Sequence, residues 1–366
     1  MGKNYVEQLF DRLHEIPERG FEEFETSKIL ISELEKYDFK IHKKVGGTGI
    51  VAIYDSGKPG PILALRADMD ALEFIVDGRV VNIHACGHDA NCAMVMAAAK
   101  YCKEKGIKKG ILKIIFQPAE ELTGGALAML KDPRLGKIDE LIGIHLRPIE
   151  DMKLGEASEA VYHSATVQLR YKIKGLSAHG ARPHLGVSAL EAAVLATNAV
   201  NSIKINPAVN HSIKVTNISV EGRTYNKIPS EALLALDIRS ESNEVMSIMK
   251  EKVKVAVDMA TKSIGATAEE VYFGEVIAAT YDEEMVQTCK IAIEKVLGKS
   301  YGRMVNYGGE DFHYFTRDLK CKSSYLGIGA EAVPGLHHEK MTFKKEALTI
   351  GEKILIEIVS ERLGVV

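Results

Sequence analysis

The segment 84–89 has the sequence HACGHD and brings a thiol, imidazoles and carboxylate chemistry together in a short stretch. On an extended backbone, residues i and i+2 point to the same side, so Cys86 and His88 can face one point in space. Gly87 lets the backbone approach whatever lies there. Thiolate, imidazole and carboxylate groups are the usual ligands of zinc and neighbouring transition metals. A Cys-x-His pair alone would suit a polar turn equally well, so a metal site depends on residues downstream.

The pair Glu120-Glu121 follows an apolar run at 111–116. Two carboxylates at the end of a buried strand repel each other, which predicts something positive beside them. Because neighbouring side chains diverge on an extended backbone, one can bind a metal while the other faces a metal-bound water. Such a water has a pKa of about 7, and a carboxylate beside it can take its proton and pass it to a leaving amine. The alternative is a solvated acidic helix start.

Two more histidine positions follow apolar or turn-forming segments. His145 comes directly after the apolar run 140–144, and His337-His338 follows a Pro-Gly-Leu turn. Taken singly, His145 could be a core histidine and the pair could belong to a surface turn. Together with the thiol and the two carboxylates, they indicate a metal site built at strand ends.

The elements that must position these residues follow from the apolar periodicity. Helices are predicted at 4–17, 21–38 and 91–103, and strands at 61–66, 111–116 and 140–144. Asp68 and Asp70 follow the first of these strands, so three successive strand ends carry acidic or imidazole groups. This arrangement predicts an α/β fold, a doubly wound mixed sheet with its site along one edge.

The pattern changes near residue 165 and returns near residue 276. The intervening segment predicts the order β-α-β-β-α-β of a ferredoxin-like unit. A chain of 366 residues is long enough for two domains. We therefore expect one domain at 1–164 and 276–366, with a second inserted at 165–275.

Composition excludes several classes of protein. The net charge of −3, without a basic stripe, argues against nucleic-acid binding, and we find no apolar run of membrane-spanning length. Five scattered cysteines fit a reducing compartment better than a disulfide framework. These features predict a cytoplasmic, enzyme-like protein.

The chain resembles the metal-dependent amidohydrolases that include aminoacylases, hippurate hydrolase, auxin-conjugate hydrolases and glutamate carboxypeptidase. It is most similar to the aminoacylase-like branch marked by HACGHD. The motifs that carry the resemblance follow the family's order over nearly the whole chain: LHEIPERGFEEFET, RADMDAL, HACGHD, FQPAEE, GIHLRP, GLSAHGARPH, NKIPSEALLALDIRS, GGEDF and GLHHE.

The resemblance implies two divalent metal ions per subunit, of zinc, manganese, cobalt or nickel. The implied ligands are Cys86, His88, Glu121, His145 and His337. Glu120 matches the family's general base, and His179 matches a histidine that steadies the oxyanion, often in the partner subunit's site. Asn226 and Arg239 match substrate-facing positions, although Arg239 could also be a strand-end surface arginine. The domain at 165–275 matches the family's lid and dimerisation domain, which implies a homodimer or higher homo-oligomer.

The implied reaction is hydrolysis of the amide bond in N-acyl amino acids or related small amides, and a dipeptidase or carboxypeptidase acting on small peptides would use the same site. A cysteine hydrolase using Cys86 and His88 is disfavoured, because acidic neighbours should raise the thiol pKa when no metal is present. A non-catalytic metal-binding protein is expected to have lost Glu120.

The chain departs from the family at three places. Glu73 replaces the proline of the DALP motif, and the segment 74–83 is shorter than usual, which predicts a more open pocket wall. His338 follows His337, which leaves open which imidazole binds metal.

Overall fold

The computed structural model describes residues 3–220 and 224–366, which form two compact units. The larger unit comprises the described residues up to Tyr162, followed by 280–305 and 310–366. The smaller unit comprises the described residues of 163–279 together with 306–309.

The helices are α1 (Tyr5–His14), α2 (Phe24–Lys36), α3 (His88–Lys105), α4 (Gly125–Leu130), α5 (Ala189–Asn201), α6 (Asn243–Lys262), α7 (Glu283–Leu297), α8 (His313–Leu319) and α9 (Glu346–Leu363). The strands are β1 (Lys40–Val45), β2 (Gly49–Asp55), β3 (Ile62–Asp68), β4 (Leu72–Val76), β5 (Arg79–Ile83), β6 (Ile111–Gln117), β7 (Glu140–Pro148), β8 (Ala157–Ser158), β9 (Ala160–His163), β10 (Ala165–Lys174), β11 (Ala178–His179), β12 (His211–Val220), β13 (Lys227–Ile228), β14 (Glu231–Ser240), β15 (Thr267–Val276), β16 (Arg303–Asn306) and β17 (Lys322–Ala332).

The larger unit is built on a mixed sheet in the order β1-β2-β6-β3-β7-β17-β8. The central strands β6, β3, β7 and β17 run parallel to one another, whereas the outer pairings are antiparallel. Strands β3, β6 and β7 are buried along almost their whole length, as expected for parallel strands covered on both faces. The α/β prediction with a mixed sheet is confirmed, and the parallel strands end at one common edge.

Helices α1, α3, α7 and α9 contribute to one core with this sheet. Helix α1 buries Val6, Leu9, Phe10 and Leu13, which recur at helical spacing. Asn4 caps this helix by accepting a hydrogen bond of 3.0 Å from the Glu7 amide. Helix α3 is buried almost throughout, because its run of alanines lets it lie close against its neighbours.

The smaller unit contains a four-stranded antiparallel sheet in the order β12-β14-β10-β15. Strand β10 alternates buried and exposed positions, and its buried residues share a core with α5 and α6. The order of these strands and helices is the predicted β-α-β-β-α-β. Strands β12 and β15 form the two edges of the sheet.

The position of His145 in its strand differs from prediction. His145 lies inside β7, because this strand continues to Pro148 instead of ending at residue 144. The shortened segment 74–83 belongs to an antiparallel hairpin of β4 and β5, with Ile75 paired to Val80 near its tip. Over the described part of the chain, none of the helices combines the length and apolar character that crossing a membrane requires.

Candidate metal centre

The spacing of Cys86 and His88 predicted that the HACGHD segment is extended, but the segment does not lie on a strand. Gly87 has a left-handed backbone, with φ of +88°, and is the N-cap of α3, so His88 is the first helical residue. A Cβ atom at Gly87 would lie 3.2 Å from Leu146 Cδ1, which adds close packing to the positive φ as a reason for glycine. This turn, and not a strand, brings Cys86 and His88 to the same cluster.

The other candidate ligands come from the carboxyl edge of the parallel strands. Glu121 follows β6, His145 lies in β7, and His337 lies in the loop after β17. His337 has a φ of +65°, and its amide donates a hydrogen bond of 2.8 Å to the Ala85 carbonyl oxygen. This bond joins the His337 loop to the HACGHD segment.

The candidate ligand atoms form one connected cluster. Cys86 Sγ lies 3.4 Å from His145 Nε2, and His337 Nε2 lies 3.4 Å from Glu121 Oε1. His88 Nε2 lies 3.9 Å from the same Glu121 oxygen. Three overlapping groups keep their ligand atoms within 4.8 Å: Cys86–His88–His145, Cys86–Glu121–His337 and His88–Glu120–Glu121. The structure thus brings together the five ligand candidates and Glu120.

Two atoms of this cluster are buried without hydrogen bonds to described residues, namely His88 Nε2 and Glu121 Oε1. Buried polar atoms are normally paired, because an unpaired one costs about 1–3 kcal/mol. In His88 and His145 the Nδ1 atom lies beside a backbone oxygen. His88 Nδ1 lies 3.0 Å from the Asp70 carbonyl oxygen, and His145 Nδ1 lies 2.6 Å from the Leu146 carbonyl oxygen. Donation from Nδ1 leaves Nε2 with its lone pair, the arrangement of a histidine that binds metal. These residues fit a site for transition-metal ions.

The electrostatics of the cluster correct one expectation. Burial and the charge of Glu121 raise the pKa of the Cys86 thiol, but His88 and His145 outweigh them and lower it to about 6. The expectation that acidic neighbours would dominate is wrong, because the ligand atoms of two imidazoles lie within 4.8 Å of the sulfur. The nearby Cys86 thiol and Glu121 carboxylate raise the pKa of His337 to about 10, because both favour the charged imidazolium.

His338 does not take the same position as His337. Its Nδ1 accepts a hydrogen bond of 3.1 Å from the Lys340 amide, and the residue is exposed. Among the described residues, the groups that could hold a metal contain His337 and not His338.

Asp70 is a functional candidate that the sequence interpretation left without a role. Its Oδ1 lies 3.1 Å from His88 Nδ1, and its Oδ2 accepts a hydrogen bond of 2.9 Å from the Glu121 amide. One carboxylate therefore orients two candidate ligands from different segments. Its place after a buried strand, in the motif RADMDAL, was the signal that could have identified it.

Glu120 also lies beside a second group of charges. Its ligand atom is within 4.8 Å of those of Glu310 and Asp311. Burial, followed by the charges of Glu310 and Glu121, raises the pKa of Glu120 well above the ordinary value. A carboxylate with a raised proton affinity suits a general base.

The positive charge that faces these carboxylates is Arg66, which is fully buried in β3. Its guanidinium donates hydrogen bonds of 2.8–3.2 Å to Asp68, Glu310 and Asp311. Gln117, at the end of β6, accepts from Arg66 at 2.9 Å and donates to Asp311 at 2.6 Å. This network joins β3, β6 and the Glu310-Asp311 segment beneath Glu120.

The remaining predicted residues lie in the smaller unit. His179, in β11, is exposed and its Nδ1 accepts a hydrogen bond of 3.1 Å from the Ala181 amide. The carbonyl of Asn226 accepts a hydrogen bond of 2.7 Å from the Gly180 amide, so His179 and Asn226 lie on adjacent segments. Arg239 has different hydrogen-bond partners. It donates to both Asp237 carboxylate oxygens, at 2.8 and 3.2 Å, and to the Tyr307 carbonyl oxygen at 2.7 Å.

The chain is similar to known proteins in both sequence and fold. Residues 64–361 match the family described as Peptidase family M20/M25/M40. Hippurate hydrolase of Campylobacter jejuni is 27% identical over 338 residues, which cover 87% of each chain. N-acetyl-L-cysteine deacetylase of Bacillus subtilis is 27% identical over 358 residues, which cover 94% of this chain and 85% of the relative. A dinuclear metal-binding M20 peptidase of Bacillus subtilis has a solved structure with a TM-score of 0.82 and 25% identity, covering 99% of this chain and 98% of its own.

The matched region covers most of the chain and includes all five ligand candidates and Glu120. The resemblance drawn from the motifs is confirmed: the chain belongs to Peptidase family M20/M25/M40 and is a hydrolase.

Proposed function

We propose that this hydrolase cleaves the amide bond of N-acyl amino acids or related small amides and depends on divalent metal ions. The observation that carries the proposal is the cluster of thiol, imidazole and carboxylate groups around Glu120, with buried ligand atoms that have no hydrogen bond to described residues. The relatives that act on acylated amino acids, hippurate hydrolase and N-acetyl-L-cysteine deacetylase, support this substrate class.

Two ions would be held by the five candidate ligands: Cys86, His88, Glu121, His145 and His337. Five ligands exceed the needs of one tetrahedral ion, and the dinuclear M20 peptidase supports a pair. Zinc, manganese, cobalt and nickel all suit this mixture of ligands. When bound, such ions supply Lewis acidity that polarises an amide carbonyl and acidifies water.

The chain's own residues supply the proton transfers in this proposal. Glu120, whose pKa is raised by burial and neighbouring carboxylates, accepts a proton from the attacking water and returns it to the departing amine. His179 donates a hydrogen bond to the oxygen that becomes negative, and Asn226 and Arg239 contact the substrate. Asp70 holds His88 and Glu121 in place during both steps.

In the proposed function, the two domains have separate roles. Residues 1–164 and 276–366 form the catalytic domain, and 165–275 form a lid that also joins two copies into a homodimer or higher homo-oligomer. The edge strands β12 and β15 support this, because an unpaired edge offers hydrogen bonds to a second chain. We also propose a cytoplasmic location, which the buried and unpaired state of the five cysteines supports.

The second candidate function is cleavage of small peptides by the same site, as a dipeptidase or carboxypeptidase. The peptidase name of the solved relative favours it. A panel of N-acyl amino acids and dipeptides, assayed by release of the free amine, separates the two functions. We expect faster turnover of the N-acyl amino acids, and a preference for dipeptides would reverse the assignment.

Metal dependence is tested in the same assay. Dialysis against a chelator should abolish hydrolysis, and zinc, manganese, cobalt or nickel should restore it. Elemental analysis of the purified protein should give two ions per chain. Undiminished turnover by protein with no measurable metal would contradict the proposal and favour a cysteine hydrolase.

A further inference from the structure

The turn 118–125 carries both Glu120 and Glu121, and its backbone conformation is unusual. Ala119, the residue before Glu120, has a φ of +49°, in the left-handed region that residues other than glycine rarely adopt. The Ala119 carbonyl accepts a hydrogen bond of 3.2 Å from the Gly125 amide, and the Glu120 carbonyl accepts one of 2.7 Å from the Thr123 amide. The direction of the Glu120 side chain therefore depends on what holds Ala119 in this conformation.

The residue that holds Ala119 is Glu23, from a segment far away in sequence. Glu23 Oε1 accepts a hydrogen bond of 2.8 Å from the Ala119 amide, and its Oε2 accepts one from the Thr48 hydroxyl. Glu23 is fully buried, with no exposed side-chain surface. Both of these donors are uncharged, and burying a carboxylate without a counter-ion is costly.

The carboxylate of Glu23 does not serve the helix that it precedes. Glu23 occupies the N-cap of α2 but makes no side-chain cap hydrogen bond. Glu18 performs that task, accepting hydrogen bonds of 3.0 and 2.8 Å from the amides of Glu25 and Thr26. Helix capping therefore does not account for a buried carboxylate at position 23, whereas the bond to Ala119 does.

We propose that Glu23 is a positioning residue for the general base: its carboxylate holds Ala119 in the left-handed conformation that aims Glu120 at the cluster of candidate metal ligands. The inference rests on the proposed role of Glu120. Without this acceptor, the Ala119 amide is left unpaired and the turn relaxes toward negative φ. A displacement of about 1 Å in a catalytic group can lower turnover by about 100-fold.

The test compares Glu23→Ala with Glu23→Gln. The glutamine oxygen can still accept from Ala119 while its amide donates to the Thr48 oxygen, so it preserves the arrangement without the charge. We expect Glu23→Ala to lower kcat by about 10- to 100-fold with KM and metal content unchanged. Glu23→Gln should retain kcat within about fivefold, because both hydrogen bonds are kept and lose only the extra strength that the charge gives them. A normal kcat in Glu23→Ala, or equal loss in both variants, would overturn the inference.

The matched control is Glu33→Ala, in the helix that Glu23 precedes. Glu33 is also a buried glutamate, but it accepts hydrogen bonds from Arg12, Lys36 and Tyr5. This variant should lose stability and keep kcat. If Glu23→Ala does not fold, Thr48→Val replaces it, because it removes one of the two donors to Glu23. We expect about a fivefold lower kcat in Thr48→Val, and no change would count against the inference.

A crystal structure of Glu23→Ala, or of Thr48→Val, separates this inference from the proposed function. We expect a negative φ at Ala119 in Glu23→Ala and a displaced Glu120 carboxylate in either variant. An unchanged turn would overturn the inference even if the enzyme hydrolyses amides. If Glu120→Gln keeps normal turnover in the same assay, the proposed base is wrong, and the position of the turn still decides what Glu23 does.

Discussion

Glu120 lies between the candidate metal ligands His88 and Glu121 and the buried carboxylates Glu310 and Asp311. Glu120→Gln keeps the size of the side chain and removes its ability to accept a proton. We expect turnover to fall by about 100- to 10,000-fold with both metal ions retained, since proton transfer by a placed group contributes that much. Glu121→Gln should instead lower the metal content measured by elemental analysis. Near-normal turnover in Glu120→Gln would show that the roles are misassigned.

Cys86 gives a second prediction at this scale. A thiol with a pKa of about 6 is mostly thiolate at neutral pH, and this thiolate is reactive unless a metal ion is bound to it. We expect a thiol-alkylating reagent to modify Cys86 rapidly after chelation and slowly in the metal-loaded protein, measured by mass spectrometry. All five cysteines are buried, but burial raises the thiol pKa of the other four, so they should stay unmodified in both states and serve as an internal control. Equal rates of modification at Cys86 would mean that it is not a ligand.

At the scale of elements, helices α1 and α2 are joined by Glu33. Although burial raises the pKa of Glu33, hydrogen bonds from Arg12, Lys36 and Tyr5 outweigh it and hold the pKa below the ordinary value of 4.5. A lowered folded-state pKa stabilises the fold above pH 4.5, and this contribution disappears as the pH falls through the lowered value. Glu33→Gln should therefore lower the free energy of unfolding by about 1 kcal/mol at pH 7 and by less near pH 3, in urea titrations. The surface variant Glu25→Gln should change it little at either pH, and an effect of Glu33→Gln that grows with acid would contradict this.

The elements also show where inference from sequence reaches its limit. Periodicity predicted the central strands and the β-α-β-β-α-β unit, because these patterns repeat locally. It started α3 three residues late, since His88 and Asp89 have the composition of a ligand loop and still form the first helical turn. The motifs identified the residues that meet in the cluster. The contacts of Asp70, Arg66 and Glu23 could not be predicted, because each joins segments far apart in the chain and is visible only after folding.

At the scale of the whole molecule, the proposed homodimer raises a testable question. His179 acts either in the active site of its own chain or in that of the partner. Glu120→Gln and His179→Ala should each be inactive alone. Mixed under conditions that exchange subunits, they should regain activity if His179 acts in the partner's site, because a mixed dimer then has one site with both groups intact. Mixed dimers that form and stay inactive would show that His179 serves its own chain. Sedimentation analysis tests for the proposed dimer, and a monomer at assay concentration would rule out a role for His179 in the partner's site.

The smaller unit includes the short segment 306–309 in addition to its continuous stretch. Within this unit the Ser164 amide donates a hydrogen bond of 3.0 Å to the Asn306 carbonyl, and a Cβ atom on Gly309 would lie 2.3 Å from Val276 Cγ2. For protein engineering, residues 163–279 are therefore not an exchangeable cassette. A chimera that receives residues 163–279 from a relative must also receive the relative's counterpart of residues 306–309. Otherwise the host's own tetrapeptide will pack against the two ends of the transplanted stretch.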